Sequence, residues 1–266
     1  MLLLAPILLP LVGGIFVFRQ KTESVRNRLT LTLVAATSLL ALAVCWMPQQ
    51  SLELLTIQGE LRMALCSDQL AKFFMVLVAC IWAPVLVFSF PYIRHAGGEQ
   101  SFLGFYTMAL GILMGLALSA NFVTFYMFFE LMSLLTVPLV LHNATAASRR
   151  AGFKYLGYSV FGAGMALAGY FFVAYYLAVP DFVAGGAVDP VRAAEHRELL
   201  LVVYCLMIVG FGAKAGMMPM QSWLPAAHPV APAPASGTIQ QQLLTDETGS
   251  DQEPEKKGWF RKFFRG

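Results

Sequence analysis

Two ionisable side chains stand in apolar surroundings, and they are the residues of this sequence best able to do chemistry. Glu130 lies in NFVTFYMFFELMSLLTVPLVLH, nine residues after Asn121 and twelve before His142. Lys214 lies in LLLVVYCLMIVGFGAKAGMMPMQSWLPAAHP, sixteen residues after Glu198 and nine before Trp223. An ionised group at the centre of a bilayer is unfavourable by about 3 kcal/mol even on a lenient scale, so each should face protein, an opposite charge or water. Pro219, five residues after Lys214, removes a backbone hydrogen bond and opens the helix, a device of intramembrane ion sites. Desolvation disfavours a buried ammonium, and a nearby carboxylate favours it. At 4 Å and an effective dielectric near 20 that attraction is about 4 kcal/mol. Withdrawing or protonating the carboxylate would let the lysine release its proton, so the pair permits proton relay.

The elements that position these groups follow from composition. Of 266 residues, 58% are hydrophobic and 12% charged, which predicts an all-α integral membrane protein. About 20 apolar residues span the hydrocarbon, and seven runs qualify: about 1–18, 29–47, 69–92, 101–120, 122–141, 153–179 and 199–223. The seventh is expected to break near Pro219. Together they form a transmembrane domain over 1–236, and 237–266 reads as a polar, disordered cytoplasmic tail whose end, GWFRKFFRG, reads either as a membrane-surface segment or as a solvated basic tail. Asp189 followed by Pro190 predicts a helix start that runs into the seventh span.

Basic residues set the orientation. Arg19, Lys21, Arg26, Arg28, Arg94, Arg149, Arg150 and Lys154 fall on one side, and Arg62, Arg192 and Arg197 on the other. The bias predicts an outside amino terminus and a cytoplasmic carboxyl terminus in a prokaryotic cell membrane. The fifth and seventh spans then run the same way. Counted from their outer ends at 1.5 Å per residue, Glu130 lies roughly 14 Å deep and Lys214 roughly 24 Å, which favours a water-linked pair over direct contact.

Lys154, Tyr158, Ser159 and His228 are auxiliary candidates for proton access, although positive-inside placement is the simpler explanation of Lys154. Asp68 and Lys72, four apart with the acid first, read as a helix start. Cys45, Cys66, Cys80 and Cys205 lack C-x-x-C spacing and read as packing residues. No catalytic residue, metal site, cofactor or nucleic-acid module is expected. The glycines of FLGFYTMALGILMGLALSA and VFGAGMALAGY predict close helix approach in lipid.

FYMFFELMSLLTVPLVLH, FKYLGYSVFGAG and GFGAKAGMMPMQSWLPAAHPVAPAPAS together resemble the antiporter-like proton-conducting subunits of respiratory complex I, multisubunit cation/proton antiporters and membrane-bound hydrogenases. The resemblance covers about residues 1–236. It implies an incomplete version of a fourteen-helix fold built from two inverted five-helix repeats, each with a broken helix. It also implies that Glu130 is the carboxylate that modulates the protonation of Lys214. Three departures stand out: Gln221 replaces a usual histidine, Ala226 replaces a frequent acid or base, and a polar tail stands where an eighth helix and the second repeat would follow.

The expected role is a truncated or split, non-redox membrane subunit of a proton-translocating complex such as an NADH:quinone oxidoreductase. Its partners would be other membrane subunits, including one that supplies the missing carboxy-terminal helices. The alternative is a non-transporting scaffold whose buried charges only fix helix packing.

Overall fold

A computed structural model describes residues 2–58, 61–232 and 234; the expected tail lies outside the described residues. Among the described residues, seven helices are long and apolar enough to cross a membrane. In order they are α1 (Ala5–Arg19, preceded by a 3-10 turn), α2 (Glu23–Trp46), α3 (Gln69–Ala96), α4 (Glu99–Ala117), α5 (Phe122–Val140), α6 (Ala146–Ala174) and, after the short α7 (Pro190–Glu195), α8 (Arg197–Ala215). A 3-10 turn at Gln221–Trp223 and α9 (Leu224–Ala227) follow. The chain is a multi-pass membrane protein.

Several boundaries differ from the apolar runs. Helices α2 and α6 begin at Glu23 and Ala146 rather than 29 and 153. A hydropathy window registers the lipid-crossing part of a helix and not its polar first turns, and the Thr145 side chain caps α6 by accepting from Ser148 N–H at 3.0 Å. The helix expected to run from Asp189 into the seventh span is interrupted at His196. Its start is as expected: Asp189 Oδ1 accepts from Val191 N–H at 2.9 Å.

The bundle has two ends. The hairpin end carries an antiparallel pair that the run of apolar spans does not predict, β1 (Ser51–Gln58) and β2 (Leu61–Cys66), with Ser51 opposite Cys66. It is tied to the α4–α5 turn by Cys66 N–H to Leu118 C=O at 2.7 Å and by Ala64 N–H to Thr124 Oγ1 at 2.8 Å. Outside lipid, such a pair satisfies its own backbone groups. At the other, loop end, Gln100 Nε2 donates to Gln20 C=O at 2.7 Å, and His142 Nε2 lies 2.8 Å from Gly97 C=O.

Helix α4 forms the centre of the first five spans: Phe102, Leu103, Leu110 and Met114 are all fully buried. A Cβ at Gly111 would come within 2.6 Å of the Ile7 carbonyl, so α1 and α4 touch backbone to backbone there. Helices α6 and α8 meet the same way, a Cβ at Gly162 falling 2.4 Å from Gly210 C=O. This is the close approach that small residues permit in lipid. The cysteines depart from expectation, since Cys80 and Cys205 are exposed on the helix surfaces rather than packed.

Asp68 caps α3 as expected, accepting from Ala71 N–H at 2.7 Å. Lys72 instead donates to Met47 C=O at 2.6 Å, tying α3 to the end of α2. Arg26 is not a loop cation: it is buried within α2 and paired with Glu99.

Candidate functional site

Glu130, Ser133 and Thr136 recur at a spacing of three along α5 and therefore share one side of it. Lys214 occupies the last turn of α8. Its Nζ donates to the Phe129 carbonyl and to Ser133 Oγ, and lies 3.5 Å from the Phe129 ring centroid. The Ser133 hydroxyl uses both capacities, accepting from the ammonium and donating to Phe129 C=O at 3.2 Å.

The ammonium thus rests on uncharged acceptors one residue before and three after Glu130. The described ion pairs do not include Glu130 with Lys214, so their nitrogen and oxygen atoms lie more than 4.0 Å apart. Lys214 Nζ rests on the carbonyl of the residue that precedes Glu130, so the two opposite charges are close enough to attract one another. Glu130 Oε1 is buried with no hydrogen-bond partner. A buried carboxylate oxygen without a donor is costly, and the Lys214 ammonium is turned to other groups.

Residue counting puts these groups at different depths, yet the contacts put them at one level. Phe211 packs on Phe125 at 5.9 Å and on Phe129 at 5.5 Å, and Lys214 reaches Phe129 and Ser133. Contacts that advance together along both helices mean that α5 and α8 run parallel. Since α8 needs more residues to reach that level, its first turn starts beyond that of α5 at the hairpin end.

The helix end is built locally. Gly216, at φ 73°, takes the left-handed conformation that stops α8 at Ala215, eight residues short of Trp223. The freed Ala213 carbonyl accepts from Trp223 Nε1 at 2.8 Å. Pro219 lies in the non-helical segment beyond, after a cis Met218–Pro219 bond, so the interruption occupies residues 216–220. A helix that ends here turns its carbonyl pole toward Lys214, which favours a cation.

Surroundings differ on the two sides of the lysine. Toward the hairpin end stand the rings of Phe122, Phe125, Phe129 and Phe211. Toward the loop end lie hydroxyls: Thr136 Oγ1 is 2.8 Å from Tyr155 OH, and Tyr158 OH is 2.7 Å from Ser222 Oγ. Gln221 Oε1 is buried there without a partner.

Of the auxiliary residues, Tyr158 joins this polar side, Ser159 is 1% exposed within α6, Lys154 is exposed on α6, and half-buried His228 closes α9. Ser133, Thr136, Tyr155, Ser222 and the Phe129 carbonyl are additions that the sequence reading misses. The spacing of Ser133 and Thr136 after Glu130 is a readable signal; the contacts to Tyr155 and Ser222 are not. Among the described residues no group of three His, Cys, Asp or Glu side chains is arranged to hold a metal.

A family model described as "NADH:quinone oxidoreductase/Mrp antiporter, TM" matches residues 119–243, which include both charges. The chain is similar to Hydrogenase-4 component B of Escherichia coli, 30% identical over 184 residues, covering 65% of this chain and 25% of that protein. It is 26% identical over 239 residues to a Na(+)/H(+) antiporter subunit of Alkalihalophilus pseudofirmus, covering 87% and 48% respectively. Its fold is similar to a chain of the Mrp complex from a Dietzia species, with a TM-score of 0.74 at 21% identity, covering 88% of this chain and 25% of that one. The chain therefore spans between about a quarter and about half of the length of these relatives.

Proposed function

We propose that this chain, which matches the NADH:quinone oxidoreductase/Mrp antiporter family model over residues 119–243, carries part of a proton relay within a proton-translocating complex, with Glu130 and Lys214 as the relay groups. One observation carries the reading. The Lys214 ammonium is held on the Phe129 carbonyl and the Ser133 hydroxyl of α5, while a buried oxygen of neighbouring Glu130 has no hydrogen-bond partner. A lysine on neutral acceptors and a carboxylate within electrostatic reach offer two positions for the cation, one near the acid and one away from it. Its proton is retained more firmly in the first position than in the second.

The asymmetry of the surroundings supports a direction. Hydroxyls of Thr136, Tyr155, Tyr158 and Ser222 lead from the loop end, with Ser159 and His228 as further auxiliaries, and aromatic rings obstruct the hairpin end. With the amino terminus outside and the loop end cytoplasmic, as the basic residues favour, protons would be taken up from the cytoplasm of a prokaryotic cell. The partners would be other membrane subunits, including helices that complete the path beyond Lys214, as in the fourteen-helix proteins that the sequence resembles. The polar 237–266 segment would remain on the cytoplasmic side.

The test is proton flux in vesicles containing the assembled complex. Lys214→Ala is expected to lower flux about a hundredfold, the lower range for loss of a positioned acid or base, while subunit stoichiometry stays unchanged. Unchanged flux in a fully assembled complex would favour the scaffold role, in which the lysine only ties α8 to α5.

A further inference from the structure

The backbone that carries Lys214 is secured by a residue nine positions later in the sequence. Helix α8 stops at Ala215, and Met217 N–H turns back to Gly212 C=O at 2.8 Å. A continuing helix would give that donor to Ala213. The Ala213 carbonyl, one residue before Lys214, is therefore left over, and Ala213 is fully buried. An unmet carbonyl in such a place is costly. Trp223 meets it: its indole Nε1, a donor only, lies 2.8 Å away.

The other contacts of Trp223 lead to the acceptors under the ammonium. Its ring packs on that of Tyr155 in α6, with centroids 5.0 Å apart. Tyr155 is buried, and its hydroxyl lies 2.8 Å from Thr136 Oγ1. Thr136 donates back to Met132 C=O at 2.8 Å and Ser133 C=O at 3.1 Å, which leaves it to accept from Tyr155. Ser133 is the residue whose hydroxyl accepts from Lys214. Leu224, next to the indole in the chain, packs under the turn, where a Cβ at Gly216 would fall 2.0 Å from its Cδ1. A single indole thus joins the backbone of the lysine to the turn of α5 on which its ammonium rests.

We infer that Trp223 is a positioning residue of the relay, whose N–H fixes the last turn of α8 so that the Lys214 ammonium reaches the Phe129 carbonyl and the Ser133 hydroxyl. The inference rests on Glu130 and Lys214 being the relay groups. A neutral donor suits the task. A lysine or a protonated histidine could also satisfy the Ala213 carbonyl, but it would bring a second cation near Glu130 and compete with Lys214 for the carboxylate. The indole holds the helix end and leaves the charge balance to the pair.

The experiment removes the N–H and keeps the ring. Benzothienylalanine in place of Trp223 has sulfur where the indole has N–H and preserves the packing on Tyr155 and Leu224, whereas fluorotryptophan retains the N–H. Proton flux is measured over a pH series in vesicles containing the assembled complex, with each replacement alone and combined with Lys214→Ala. One net hydrogen bond corresponds to about fivefold. The sulfur analogue should therefore lower flux per assembled complex about fivefold and move the pH of half-maximal flux by about 0.7, and fluorotryptophan should restore most of both. Combined with Lys214→Ala, the sulfur analogue should cause no further loss, because it acts through the lysine. If Lys214→Ala lowers flux but the sulfur analogue changes only thermal stability, or multiplies the loss, the relay stands and the positioning role is overturned. If Lys214→Ala leaves flux unchanged in the assembled complex, the relay itself fails and the positioning role falls with it.

Discussion

Two pairs of opposite charges lie inside this bundle, and the structure treats them in opposite ways. Arg26 and Glu99 are in direct contact between α2 and α4, their side chains 5% and 21% exposed. Glu130 and Lys214 share a level between α5 and α8, but the lysine binds the Phe129 carbonyl and the Ser133 hydroxyl. The first pair sits beside the tightly packed α4 core, and the second beside the last turn of α8, which stops at Ala215. Burying opposite charges is thus not in itself a mark of transport. A closed pair fixes geometry. An open one, with an alternative seat for the cation, is arranged to change.

The largest effect should come from breaking the closed pair. Removing one member of a buried ion pair leaves the other charge uncompensated, at a cost of about 3–5 kcal/mol, whereas replacing both with apolar residues is often neutral. Arg26→Met should therefore destabilise the chain by about that much in a detergent unfolding assay, and Arg26→Met/Glu99→Leu should recover most of the loss. If the single change were as mild as the double, Arg26 and Glu99 would not be a closed structural pair, and the contrast with Lys214 would fail.

A smaller effect sharpens the other side. Hydrogen bonds to charged groups contribute about 1.5–3 kcal/mol, so Ser133→Ala should weaken the α5–α8 contact by that order. Ser133→Thr, which keeps the hydroxyl, should restore most of it. Thermal unfolding of the two variants checks this. Equal losses in both would mean that the lysine does not depend on this hydroxyl, and that its seat away from Glu130 is the Phe129 carbonyl alone.

The ease of reading these features from the sequence differs for physical reasons. The spans, Glu130 and Lys214 are legible because twenty apolar residues in a row, or a charge within them, follow directly from the lipid solvent. The first turns of α2 and α6 are not, since polar caps lie outside the apolar window. Arg26 reads as a loop cation because its partner, Glu99, is 73 positions away. The hairpin at 51–66 stays hidden because its N–H groups dock through long-range bonds to the Leu118 carbonyl and the Thr124 hydroxyl. Pro219 marks the interruption, but the residue that ends the helix is Gly216, whose left-handed conformation is a property of the turn.

A third charged cluster, at the hairpin end, offers the mildest comparison. Arg62 pairs with Asp181 and lies 2.8 Å from Glu53, joining the hairpin to the segment before α7, but its side chain is 31% exposed. Ion pairs that water can reach contribute about 0–1 kcal/mol and weaken with added salt. Arg62→Gln should therefore lower the unfolding free energy by less than about 1 kcal/mol, and the difference from the parent chain should shrink further at high ionic strength. The same salt titration should leave the loss caused by Arg26→Met nearly unchanged, because a buried pair is poorly screened. A salt-insensitive loss of several kcal/mol at Arg62 would place that cluster with the closed pair, and would show that partial exposure does not govern how this bundle uses its charges.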